Sequence, residues 1–131
     1  MKCSVVLFCL FFVKVASGNP QQVCLEKLNL DEWGLYSVLT NEETPLDNEY
    51  GKFFLCLWRT IGVMNKDDTI NLKRLQEFGE DEIDRIRNVT EMDRKILKEK
   101  LSACKLKPLK LPEQTAVQIK NCHMKTIVDL F

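Results

Sequence analysis

Cysteines stand at positions 3, 9, 24, 56, 104 and 122, and how they sort decides what this chain can fold into. The first two fall inside a leader. Met1-Lys2 is followed by an apolar run from Val5 to Val13, and Ala16-Ser17-Gly18 puts small residues at the −3 and −1 positions of a cleavage site. That is the pattern of a secretory signal peptide over residues 1–18. The nine apolar residues of the run fall far short of the roughly 20 that cross a bilayer as a helix, so membrane insertion is not expected. The expectation is a secreted, extracellular protein whose mature chain, residues 19–131, forms one domain.

Four cysteines remain after cleavage: Cys24, Cys56, Cys104 and Cys122. An even number in a short secreted chain reads as two disulfides. Four cysteines allow three pairings, and spacing does not choose among them. Zinc would want close ligand pairs such as C-x2-C, which are missing. A thiol nucleophile would need a base nearby, and His123 is the only histidine. Cys56, in the middle of "FFLCLWRTIGVM" (residues 53–64), therefore reads as a structural half-cystine. No metal and no cofactor is expected.

The whole chain carries 19 basic and 19 acidic side chains. The leader contains Lys2 and Lys14 and no acid, so the mature chain is acidic by two charges. Such a chain is no polycation made for nucleic acid or anionic lipid.

Apolar spacing is helical nearly throughout. Tyr50, Phe53, Phe54, Leu57, Trp58 and Ile61 recur on one helical face, with Asp47 or Asn48 as cap and Gly62 as the left-handed stop. Lys52, Cys56 and Arg59 fall on the flank or back of that helix. Short helices are also predicted over Gln21–Leu28, with Cys24, and over Asp31–Leu39. Asn71–Phe78 is amphipathic through Leu72, Leu75 and Phe78. Glu80–Asn88 continues its phase after an interruption at Gly79. Thr90 caps a helix reaching Cys104, and Pro112 or Glu113 starts a last one reaching Met124. No segment alternates with period two, so the fold class is all-α, five or six short helices. Helices of about ten residues are marginal alone. Two disulfides, each worth roughly 3–4 kcal/mol in the chain-entropy model, match the scale of a small domain's whole stability.

These residues resemble the insect odorant-binding proteins of the pheromone-binding and general-odorant-binding family. "FFLCLWRTIGVMNKDDTINLKRL" is similar to that family's cysteine helix, its glycine stop and the polar turn beyond. "TAVQIKNCHM" is similar to the helix holding its last cysteine. The family pattern has six cysteines, the second and third as C-x3-C and the fifth and sixth as C-x8-C. Lys52 and Glu113 stand where the second and fifth would be. Those two pair with each other in the family, so their joint loss matches its four-cysteine, "minus-C" branch. The resemblance implies disulfides Cys24–Cys56 and Cys104–Cys122, and a six-helix bundle around an apolar cavity. It further implies that the bundle carries a small hydrophobic ligand, with a membrane chemoreceptor as downstream partner and a monomeric or weakly dimeric state. The 47 residues between Cys56 and Cys104 leave room for extended middle helices.

The expected ligand pocket is lined by Phe53, Phe54, Leu57, Trp58 and Ile61, completed by Leu72, Leu75, Phe78 and Ile119. Burial of ligand surface would supply affinity at roughly 25 cal/mol per Å2. The plainer reading is that these side chains only fill the core. The apolar tail from Ile127 to Phe131 is expected at the cavity mouth, since exposed termini are normally polar. His123 shares a helical face with Ala116, Ile119 and Ile127, which puts its imidazole beside that tail, where protonation would place charge at an apolar edge. A solvated histidine without a role is the plainer alternative. Lys52 and Glu113 are expected within bridging reach, roughly 4.4–6.8 Å between Cα atoms, with an ion pair in place of the sulfur bridge.

No catalytic set emerges: G-x-S-x-G and H-E-x-x-H are both missing, so an enzyme is not expected. Glu80, Asp81, Glu82 and Asp84, interspersed with Arg85 and Arg87, read as a solvated face. Asn88-Val89-Thr90 is an N-glycosylation sequon at Asn88, although Thr90 also serves as a helix cap. A secreted helical cytokine-like bundle with two disulfides is the alternative class, as is a carrier outside olfaction. The breaks at Gly62, Gly79, Pro108 and Pro112 favour the short-helix carrier over long cytokine helices.

Overall fold

A computed structural model describes residues 19–41 and 43–131. The leader expected over residues 1–18, with Cys3 and Cys9, lies outside the described residues. Six helices follow one another, and no strand forms among the described residues. They are α1 (Pro20–Lys27), α2 (Glu32–Leu39), α3 (Gly51–Ile61), α4 (Leu72–Asp84), α5 (Glu91–Ala103) and α6 (Pro112–Leu130). Lengths of 8 to 19 residues are those of a short-helix bundle rather than of a long-helix signalling bundle.

The local chemistry explains most helix ends. The Asp31 carboxylate accepts from Gly34 N at 3.0 Å and opens α2. Asn71 does the same for α4 through Arg74 N. Thr90 and Asp93 form a reciprocal capping box at the start of α5, each side chain accepting from the other's backbone N–H. Arg87 adds two N–H donors to the Asp93 carboxylate, at 2.6 and 3.0 Å, and with Thr90 N–H holds it well below the usual carboxylate range. Gly62 closes α3 at φ +85°, and Val63 N–H returns to Trp58 O at 2.8 Å.

Four boundaries differ from the periodicity reading, the first being that α4 ends at Asp84 rather than running on to Asn88. Asp47 and Asn48 do not cap α3. Asn48 instead accepts from Tyr50 N in a turn, and the helix begins at Gly51. Gly79 does not interrupt α4, because tertiary contact outweighs its weak propensity: it lies buried against α5, where a Cβ would stand 3.1 Å from Leu97 Cδ2. The last helix does not stop near Met124 but continues to Leu130, since burial of Thr126 and Ile127 carries it on.

Both cross-links form in the pairing the resemblance implies, Cys24–Cys56 and Cys104–Cys122, with Cα separations of 5.9 and 6.0 Å. The first ties α1 to α3 and the second ties the end of α5 to α6. The long α6 is the hub. It runs against α3, α4 and α5 and takes buried residues from nearly every turn. Among the described residues no helix is long and apolar enough to cross a membrane.

Candidate ligand-binding site

The apolar face of α3 meets α6 through a specific contact as well as through area. Phe53, Phe54, Leu57 and Trp58 are fully buried, and the Trp58 indole N–H donates to Ala116 O of α6 at 2.9 Å. A buried indole needs such a partner, and the bond fixes which way the ring lies. The rings then form a continuous cluster. Phe53 stands edge-on to Phe54 at 5.1 Å, and Phe54 stacks on Trp58 at 6.4 Å. Trp58 meets the edge of Phe78 from α4 at 5.6 Å. His123 from α6 completes it, 6.1 Å from Trp58 and 5.1 Å from Phe78. Leu75, Ile119 and Ile127 are buried in the same core.

Two expected members stand elsewhere, and Ile61 is half-buried at the end of α3. Leu72, 41% exposed, lies in the first turn of α4. It lines the mouth of a groove of about 570 Å3 that α4 and α5 leave between Gln76, Glu80, Lys98 and Leu101. Phe131, 47% exposed, ends the chain beyond α6, where the Arg87 guanidinium lies over its ring at 5.5 Å. The tail is therefore not one apolar plug. Ile127 is buried, Val128 and Leu130 are half-buried, and Asp129 turns outward to Lys100 at 3.1 Å.

His123 is neither solvated nor at an apolar edge. It is 1% exposed, and its Nε2 is hydrogen-bonded to Oε1 of Glu82, which is 0% exposed. A charge on this imidazole would meet a carboxylate. Glu82 is thus a residue that the charge pattern misplaced on the solvated face. Helical phase carries the missed signal, since Glu82 falls seven residues after Leu75 and four after Phe78, on the buried stripe of α4.

A second buried polar group clamps the α2–α3 connection onto α6. Lys120 Nζ donates to Asn41 O at 2.7 Å and to Thr44 Oγ1, and burial pushes its amine down to about 8 against the opposing charge of Glu43. Asn121 beside it exchanges two hydrogen bonds with the Thr44 backbone, at 2.8 and 2.9 Å. Nothing in the sequence pattern marked either residue, because a lysine on a helix is ordinarily solvated.

Lys52 and Glu113 line one surface groove of about 310 Å3 with Leu46, Asp47 and Leu111. A Cβ on the adjacent Gly51 would stand 3.2 Å from Glu113 Cβ, so α3 and α6 approach closely here. The expected ion pair does not form among the described residues, where Lys52 is exposed and a surface pair would gain little from closing. Asn88 is exposed, in the turn before the Thr90 cap. No group of three or more His, Cys, Asp or Glu side chains among the described residues could hold a metal ion.

A model of the PBP/GOBP family matches residues 16–126. No curated protein and no solved structure matches the chain.

Proposed function

Because this chain belongs to the PBP/GOBP family, the insect odorant- and pheromone-binding proteins, which are carriers rather than enzymes, we propose that it is a secreted carrier of small hydrophobic semiochemicals. Ligand is held among Phe53, Phe54, Leu57, Trp58, Leu75, Phe78, Ile119, His123 and Ile127, and travels through aqueous fluid toward a membrane chemoreceptor. Residues 1–18 direct export and are removed. The mature chain is of the four-cysteine type and works as a monomer or weak homodimer.

The observation that carries this reading is the ring cluster running from Phe53 through Trp58 to Phe78 and His123, drawn from three helices. A ligand entering there exchanges ring–ring contacts for ring–ligand contacts and removes its own apolar surface from water. The C-terminal turns bearing Ile127 flank the same core and act as the segment that yields on entry and exit.

Titration of the mature protein with dodecanol, methyl dodecanoate and dodecanal, followed by Trp58 emission and by displacement of N-phenylnaphthylamine, tests this. Saturable displacement at micromolar concentration with a change in Trp58 emission is expected. An unchanged spectrum and no displacement across the panel would reject a carrier built on this cluster.

A further inference from the structure

Burial of a carboxylate in an aromatic core is costly unless both oxygens are used. Glu82 is 0% exposed, and its Oε1 is taken by His123 Nε2, while Oε2 is buried with no hydrogen-bond partner among the described residues. The imidazole to which the carboxylate is bonded faces Phe78 at 5.1 Å and Trp58 at 6.1 Å. Glu82 also lies one turn along α4 from Phe78, on the same buried stripe. The proposed ligand site and the unfilled acceptor are therefore at one corner of the core.

From this we infer that Glu82 Oε2 is the polar anchor of the ligand site and selects ligands ending in a hydrogen-bond donor: fatty alcohols or amines rather than ethers, esters or hydrocarbons. The inference rests on the carrier reading above and makes it more specific. An acceptor that a ligand leaves unpaired in a desolvated site counts against that ligand, whereas a hydroxyl satisfies it with a hydrogen bond. Sites built around one hydrogen bond reject the analogue lacking it far more strongly than apolar walls reject a changed chain length. His123 acts as the positioning residue: it occupies Oε1 and so leaves Oε2 as the atom that can accept from a ligand.

The test compares ligands matched in length. Dodecanol, dodecylamine, undecyl methyl ether and dodecane displace N-phenylnaphthylamine from the wild type, from Glu82→Gln and from the apolar pair Glu82→Leu/His123→Phe. The pair removes both polar partners together, and such replacements are often neutral or stabilising, so it provides a folded reference even if Glu82→Gln is unstable. In the wild type, dodecanol should bind at least about 10-fold tighter than the ether. That preference should fall below about 3-fold in Glu82→Gln and vanish or reverse in the pair. Equal binding of alcohol and ether by the wild type would overturn the anchor while leaving the carrier reading intact, as would an alcohol preference that survives in the pair. Failure of all four ligands to displace the probe from the wild type would overturn the carrier reading, and the anchor with it.

Discussion

Lys120 donates from its ε-ammonium to the carbonyl oxygen of Asn41 over 2.7 Å, pinning the α2–α3 connection to the hub helix. Its amine, ordinarily near 10.5, is pushed down to about 8 by burial. Between those values the unfolded chain binds more protons than the fold, so this group makes stability rise with pH across that window and lowers it below pH 8. Measured against Lys120→Met, which lacks the titration, the wild type should gain roughly 1–3 kcal/mol in unfolding free energy between pH 8 and 10.5. Urea titrations at several pH values read the difference, and parallel curves for the two proteins would refute it.

Thr90 serves two purposes that substitution separates. Its Oγ1 accepts from Asp93 N at 3.1 Å, and it is the third residue of the Asn88 sequon. Thr90→Ala should cost about 1 kcal/mol for the lost cap. Expressed through a eukaryotic secretory pathway, it should also lose any glycan mass. Asn88→Gln should lose the same mass with stability unchanged within about 0.5 kcal/mol, because Asn88 is exposed. Masses of the wild type and Asn88→Gln that differ only by the added methylene would show the sequon to be unused.

The close approach of Gly51 to Glu113 predicts that a bridge can be introduced beside it. Lys52→Cys with Glu113→Cys should oxidise spontaneously and raise the melting temperature by at least about 5 °C. It should also narrow the range of ligands bound, by tying α3 to α6 at a second point. Free thiols persisting after mild oxidation would mean that the two helices do not bring these positions within bridging distance.

Ile127 is the tail residue that the core holds. Ile127→Ala should destabilise by about 2–4 kcal/mol and speed the release of bound probe. Truncation after Val128, which removes only half-buried and exposed residues, should leave both nearly unchanged. Stopped-flow release compares the three proteins. Faster release from the truncated chain alone would shift the lid function to Asp129, Leu130 and Phe131.

Residues whose neighbours in sequence settle their state were legible from the start. The stripe from Phe53 to Trp58, the Gly62 stop, the Thr90 cap and the cysteine helix all depend on spacing within a turn or two. Helical period and capping chemistry are local, so the sequence by itself determined an all-α chain of five or six short helices and which face of α3 is buried.

What lies between helices was decided only by the tertiary structure. Gly79 remains helical because Leu97 of α5 lies against it, not because of its own propensity. Glu82 and Lys120 are charged residues that solvent would claim on any isolated helix. They are buried because partners distant in sequence, His123 at a separation of 41 residues and Asn41 at 79, supply the hydrogen bonds that water otherwise provides. Periodicity cannot display a partner on another helix, and the desolvation that makes such a residue informative exists only once the helices have met.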